Sequence, residues 1–284
     1  MKLIRCGAPG SEIPGVELAD GSRVDCRAFG ADWDGAFFGS DGVERLSRWI
    51  ESPENRARRL PSDARLGPAV ARPTKIVCVG RNYVEHAREM GSSPPEEPVL
   101  FFKSTSAIAG PADELVMPRG ATKVDWEIEL GVVIGRAASY VSVPDALAHV
   151  AGYVLHIDYS ERAFQKDRGG QWVKGKSCDT FAPIGPFLAT RAEVPDPQNL
   201  NLRLEVNGVQ KQASNTAQMI FSVAELVSYI SQFMTLLPGD LVSTGTPGGV
   251  GMGFDPPQYL APGDVVTSAI ERLGSQRQVV VAAR

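Results

Sequence analysis

The chain has 284 residues, enough to bury a sizeable core in one large domain or in one large and one small. Apolar residues make up 43% and charged ones 22%, which excludes a disordered or fibrous chain. A formal net charge of -4 without a Lys/Arg-rich run argues against a general nucleic-acid binder, and no apolar run is long enough for a spanning helix. The start, Met1-Lys2-Leu3-Ile4-Arg5-Cys6-Gly7, lacks the apolar stretch and cleavage site of a secretory signal. Cys6, Cys26, Cys78 and Cys178 are scattered without Cys-x-x-Cys spacing, so reduced thiols in a cytoplasmic protein are expected.

In chain order, residues 1–70 read as a small α+β domain. A strand at Leu3-Ile4-Arg5 leads to a hairpin, with Asp20-Gly21 turning between Val16-Glu17-Leu18 and Arg23-Val24-Asp25. A helix from about Gly42 to Ile50 follows, and the Pro-, Arg- and Ser-rich segment 51–73 reads as a linker. From residue 71 to 284 a second domain is expected. Short apolar runs recur there at 75–79, 99–102, 128–134, 152–157, 202–206, 240–244 and 264–270, and Asn207-Gly208 signals a hairpin. Capping-box patterns at Ser142-x-x-Asp145 and Ser222-x-x-Glu225 predict helices over 146–150 and 226–233. Helices this few and irregular exclude regular βαβ alternation and predict a mostly β, α+β fold.

Four segments carry chemistry. In Lys123 to Gly135, read as one strand, Glu127 and Glu129 share a face with roots about 6.5–7 Å apart. Their carboxylates could converge on a hard cation such as Mg²⁺, Mn²⁺ or Ca²⁺, or simply face water as any surface strand does. Asp125 falls on the same face, and three like charges in a row are costly without a cation. Asp158 follows the apolar run Tyr153-Val154-Leu155-His156-Ile157, and a buried carboxylate needs a partner. In Val79 to Gly91, His86 and Glu89 are three apart on an expected helix, either an incidental ion pair or an imidazole oriented to activate water. His149, on an amphipathic helix, and His156, in a strand, read as structural. The segment Gly170 to Ser177 meets the spacing of a phosphate loop, but no apolar strand precedes it and no helix can follow through Pro183. Lys176 reads instead as a cation aimed at a substrate oxyanion. Finally, residues 238–251 form a strand and a glycine-rich loop, suited to an anionic ligand or to a plain tight turn.

These segments together resemble the fumarylacetoacetate hydrolase superfamily from about residue 73 to 284. The resemblance rests on Gly80-Arg81-Asn82-Tyr83 with His86 and Glu89, on Asp125-Trp126-Glu127-Ile128-Glu129-Leu130, on Asp158 to Arg162 with Gln165, on Lys176-Ser177-Cys178-Asp179-Thr180, and on Thr244-Gly245-Thr246-Pro247. It implies a rolled mixed β-sheet domain, a homodimer or dimer-based higher oligomer, and a divalent metal, Mg²⁺ first and Mn²⁺ or Ca²⁺ otherwise, on Glu127, Glu129 and Asp158. It further implies that His86 and Glu89 sit on a lid and activate water, that Lys176 steadies an enolate, and that Arg81, Tyr83, Arg162, Gln165 and Thr246 line the substrate site. The chain departs from the commonest pattern at Ile157-Asp158-Tyr159-Ser160, where many relatives have Asn-Asp-Val-Ser, and at Pro247-Gly248-Gly249, where many have Pro-Pro-Gly. The implied activity is hydrolysis of the C–C bond of a 2,4-dioxo acid, such as 2,4-diketo-3-deoxy-L-rhamnonate or -fuconate, to pyruvate and a second acid. Acylpyruvase, oxaloacetate decarboxylase, isomerase and ureidoglycolate lyase activities share the family, and a non-catalytic binding protein is the remote alternative. A small 2-oxo acid is the expected partner, with no nucleic acid and no membrane.

Overall fold

Strands that are apolar on both faces need cover on both faces. Ile76–Gly80, Ile128–Ile134 and Val150–Ile157 are of this kind and are buried almost throughout. In the computed structural model, which describes residues 1–52, 58–89, 91 and 93–283, they lie within a ten-stranded sheet. Its spatial order is Arg59–Leu60, Arg23–Asp25, Ile13–Glu17, Lys2–Cys6, Leu188–Thr190, Val150–Ile157, Ile128–Ile134, Leu241–Ser243, Ile76–Gly80 and Val99–Lys103. Neighbours run antiparallel except Leu241–Ser243 beside Ile76–Gly80, so the sheet is mixed. A five-stranded sheet carries Val209–Asn215, Asn201–Val206, Val265–Ile270, Gly274–Val281 and Leu115–Val116. The Asn207-Gly208 hairpin joins its first two strands, both turn residues having positive φ as such a turn requires. The fold is thus mostly β with few helices, as the sequence pattern predicts. No helix among the described residues is long and apolar enough to cross a membrane.

The N-terminal residues join the large sheet directly, for Lys2 and Leu3 pair with Ala189 and Leu188. The expected hairpin forms between Ile13–Glu17 and Arg23–Asp25, and the expected helix spans Gly42–Glu51. Trp33, fully buried, donates its indole N–H to the carbonyl of Ile4 at 2.8 Å and anchors this unit's core. The segment read as a linker is structured in part. Arg59–Leu60 pairs with Arg23–Asp25, and Ala69, Val70 and Ala71 are buried against the body of the protein; residues 53–57 lie outside the described residues.

Two local expectations change. Lys123 to Gly135 is not one strand but two, Val124–Asp125 and Ile128–Ile134, interrupted at Trp126-Glu127. The first pairs with Ser160–Glu161 in a separate ribbon, and Trp126 is buried with its indole N–H on the carbonyl of Gly249. The helix expected over 146–150 is a four-residue turn, Val143–Ala146, followed by a 3₁₀ turn over Leu147–His149. There the Ser142 hydroxyl bonds the Asp145 carboxylate at 2.6 Å rather than capping a backbone N–H, so no capping box forms. His149 therefore sits in a 3₁₀ turn, not on an amphipathic helix. The Ser222–Glu225 box is real and opens the helix Val223–Ile230.

Removal of residues 1–70 would bare the Leu188–Thr190 edge and the apolar surface that Leu3 and Ile4 cover. A chain starting at residue 71 is expected to self-associate or precipitate, which size-exclusion chromatography beside the full chain would show.

Candidate active site

The interrupted strand is what builds the site. Glu127, at the end of the break, and Glu129, in the strand that follows, keep a two-residue spacing and turn toward one cavity. Across the antiparallel pair, Ile128 faces Ile157, which brings Asp158 alongside, and the Asp158 N–H is held by the carbonyl of Glu127 at 2.8 Å. Glu127, Glu129 and Asp158 each offer an oxygen within 4.8 Å of the others, and all three are buried. Three hard oxygen donors at this spacing fit a divalent cation of the Mg²⁺ or Mn²⁺ kind.

Cations flank the group. Lys176 Nζ lies 2.5 Å from Glu127 Oε2 and 2.7 Å from Asp158 Oδ2, while Lys103 Nζ takes Asp158 Oδ1 at 2.5 Å. Arg162 bridges Glu127 at 2.6 Å and Asp125 at 2.7 Å. Burial opposes ionisation of Glu127, but Arg162, Lys176 and His86 outweigh it and hold the carboxyl well below its usual range. Lys176 loses stability as a cation through burial, yet Asp158 and Glu127 more than compensate and raise its pKa. Glu129 has no such direct cation. Among the described residues, it accepts from the Ser243 hydroxyl and from the Gly245 N–H, at 2.9 Å for the latter. Burial first, then the charges of Asp158 and Glu127, push its pKa up to about 8.

Asp125, expected to share the face of Glu127 and Glu129, does not. Ahead of the break its carboxylate turns to the glycine-rich loop, accepting from the N–H groups of Gly251 at 2.6 Å and Met252 at 3.1 Å, and from Arg162. That loop does bind anions, but they are the protein's own. Gly245 N–H serves Glu129, Gly249 N–H serves Glu89 at 2.9 Å, and Gly251 and Met252 serve Asp125. Glu89 in turn lies 3.3 Å from His86 Nδ1, on the short helix Val84–Glu89 that the Gly80-Arg81-Asn82-Tyr83 turn launches. Gly253 is needed for this approach, since a Cβ there would collide with the Glu89 carboxyl. The Gly170 to Ser177 segment resolves similarly. It contains a single helical turn, Val173–Lys176, and Gly175 lets that turn press on the backbone of Glu161 and Gln165.

The cavity, about 250 Å³, is lined by the carboxylates Glu127 and Glu129, by His86, Lys176 and Arg162, and by Arg81, Gln165 and Thr246. Ten of the eleven residues singled out from sequence thus gather here, Asp158 beneath Lys176 and Glu89 behind His86. Tyr83 is the exception: it is 1% exposed, forms no part of the wall, and its hydroxyl is buried without a partner. Arg162 reaches the wall, but its guanidinium is committed to Asp125, Glu127 and Gln165. Sequence reasoning missed Lys103, whose cue was a lysine ending an otherwise apolar strand, and Ser243, which had none. It also missed the apolar wall of Val79, Phe101, Trp172 and Met252.

A mostly β fold that gathers buried carboxylates, a paired imidazole and a lysine in one cavity is an enzyme's fold and an enzyme's site. Residues 75–281 match the family described as Fumarylacetoacetate (FAA) hydrolase C-terminal, and the chain belongs to that family. A protein of Burkholderia multivorans that carries a hydrolase name is 49% identical over 285 residues, covering 100% of both chains. The solved maleylpyruvate hydrolase of Sphingobium sp. SYK-6, in complex with manganese (II) ion and pyruvate, is 30% identical with a TM-score of 0.82 over 100% of both chains. The 5-carboxymethyl-2-hydroxymuconate delta-isomerase of Mycobacterium smegmatis is 34% identical, with a TM-score of 0.79 over 100% of both chains. The family therefore holds hydrolases and isomerases on one scaffold.

Lys103→Met would remove the cation on one oxygen of the fully buried Asp158 and leave Lys176 on the other. A loss of about 1.5–3 kcal/mol in unfolding free energy, the worth of a hydrogen bond to a charged group, is expected from denaturant titration.

Proposed function

We propose that this chain is a divalent-metal-dependent hydrolase that cleaves the C–C bond of a 2,4-dioxo acid and releases pyruvate. The observation that carries the reading is the placement of the three carboxylates and of the His86–Glu89 pair on one small cavity. A divalent ion held by Glu127, Glu129 and Asp158 would act as a Lewis acid toward the 2-oxo acid end of the substrate. The manganese and pyruvate of the Sphingobium enzyme support that assignment by likeness.

The chain's own residues supply the rest. His86, oriented by Glu89, takes a proton from water, and the hydroxyl adds to the carbonyl carbon C4. The C3–C4 bond then breaks, its electron pair passing to C3 and delocalising onto the C2 oxygen. Lys176 steadies the resulting negative charge. Protonation at C3 gives pyruvate, and the C4 fragment leaves as a carboxylic acid. The apolar wall of Phe101, Trp172 and Met252 keeps bulk water from competing with the positioned one. Isomerisation would need the same enolate but no water. The Glu89 contact to Gly249, which fixes the imidazole in place, favours hydrolysis.

Pyruvate release from a 2,4-dioxo acid is expected with Mg²⁺ or Mn²⁺ and should vanish with a chelator or in Glu129→Gln; activity that survives either would end the metal reading. His86→Ala is expected to lower kcat by roughly 10²–10⁴ while Mn²⁺ still binds. Gly253→Ala, which displaces Glu89, should lower kcat by up to about 10² with Mn²⁺ affinity retained. Because Glu129 must lose its proton to bind a cation, Mn²⁺ affinity measured by calorimetry should climb with pH up to about 8 and level off above.

A further inference from the structure

The outermost strand of the large sheet, Val99–Lys103, does more for the site than close one wall. Side chains alternate along a strand, so Phe101 and Lys103 share one face, while Phe102 between them is 41% exposed and points away. Phe101 is in register with Cys78 and Cys78 with Ser243, which puts the ring on the same sheet face as the serine that holds Glu129. From that face Lys103 takes Asp158, and the Lys176 ammonium lies over the Phe101 ring, 5.0 Å from its centre. This is inside the roughly 6 Å reach of a cation–π contact. The ring is held in that attitude. Trp172 packs against it in a T-shaped arrangement with ring centres 5.3 Å apart. The same Trp172 opens the turn that ends in Lys176, its carbonyl accepting the Lys176 N–H at 3.1 Å. Gly80 leaves room for the indole, since a Cβ there would come within 3.0 Å of it. Strand and turn are also stitched beside the pair, where the Ser104 N–H donates to the Ser177 hydroxyl at 2.8 Å.

A lysine ammonium has three N–H donors. Lys176 gives one to Glu127 and one to Asp158, which leaves a third. Another carboxylate could hold the ammonium against the wall, but it would take that last proton and cancel the charge. An aromatic face attracts the cation through its quadrupole and leaves the proton unclaimed. We propose that Phe101 is a positioning residue: its ring face holds the Lys176 ammonium at the cavity wall and keeps the third N–H free for an oxyanion in the cavity. The proposal rests on the reading of Lys176 as the cation that meets the enolate oxygen. Excluding water from the cavity needs only apolar bulk at position 101, whereas this role needs the π electrons.

Fluorination drains the ring's quadrupole while nearly keeping its shape, so mono-, di- and trifluorophenylalanine at position 101 separate the two roles. With Mn²⁺ present, calorimetry would compare oxalate, which carries a negative oxygen where enolised pyruvate does, with pyruvate itself, whose C2 oxygen is uncharged. The oxalate-to-pyruvate affinity ratio is expected to fall stepwise with each fluorine and by roughly three- to thirtyfold in Phe101→Leu. Phe101→Tyr should keep the ratio of the unaltered chain, and so should Phe102→Leu at the outward-facing neighbour. The kcat for pyruvate release should follow the same series, with KM and Mn²⁺ affinity unmoved. A ratio that stays level through the fluorinated series would overturn the proposal even if Phe101→Leu lowers it, because bulk alone would then suffice. Oxalate binding no tighter than pyruvate in the unaltered chain would overturn the enolate reading of Lys176 and the proposal with it. A stepwise fall without pyruvate release from any dioxo acid would keep the positioning role and reject only the hydrolysis.

Discussion

Four buried carboxylates, three on one stretch of chain and Asp158 brought beside them across an antiparallel strand pair, are the constraint on which this structure rests. Asp125, Glu127, Glu129 and Asp158 are each no more than 4% exposed. Ions of like sign in a low-dielectric interior repel strongly and have lost their hydration, so the fold must bring counter-charges to them. Three arrive, from three different places. Arg162 comes from the helix after Ser160–Glu161, Lys176 from the single turn Val173–Lys176, and Lys103 from the end of the outermost strand of the large sheet. Three cations balance three carboxylates. Glu129 is the one left over, and its pKa of about 8 is the consequence. At neutral pH it keeps a proton that a metal ion would replace, so the same imbalance that makes the cluster expensive makes it ready for a divalent cation.

The glycine-rich loop links this cluster to the acid–base pair. Its N–H groups reach Glu129 at one end, Glu89 in the middle and Asp125 beyond. One segment thus holds both a carboxylate of the cavity floor and the carboxylate that contacts the imidazole. Backbone donors suit the task because they have no side-chain torsions to freeze, and several aimed at carboxylates make charge-assisted bonds. Asp125, which ligates nothing in this reading, matters for the same reason: it ties the loop to Arg162 and hence to Glu127.

How much of this was legible in the sequence follows from the range of each interaction. Period-two spacing alone put Glu127 and Glu129 on one face, and helical spacing paired His86 with Glu89, because both are local rules. Asp158 stood out because an acid in an apolar run needs a partner, although the run could not say which. Tyr83, Asp125 and Lys103 were misjudged or missed for the opposite reason. The interruption at Trp126 depends on that indole reaching Gly249, 123 residues away, and no local pattern encodes it. Lys103 and Asp158 are 55 residues apart, so a lysine at the end of a strand gave no sign of its target. Tyr83 sits in the motif that launches the His86 helix, and motif membership does not distinguish a wall residue from one packed behind it.

The same distinction bears on specificity. The head of the cavity is crowded with paired charges, so a substitution there disturbs folding and chemistry together. Elsewhere on the lining, Arg81 and Lys166 have no acidic partner among the described residues, and Lys166 is solvent-exposed, so changing the latter breaks no buried pair. A scaffold divided in this way can hold its reaction constant while its tail specificity drifts.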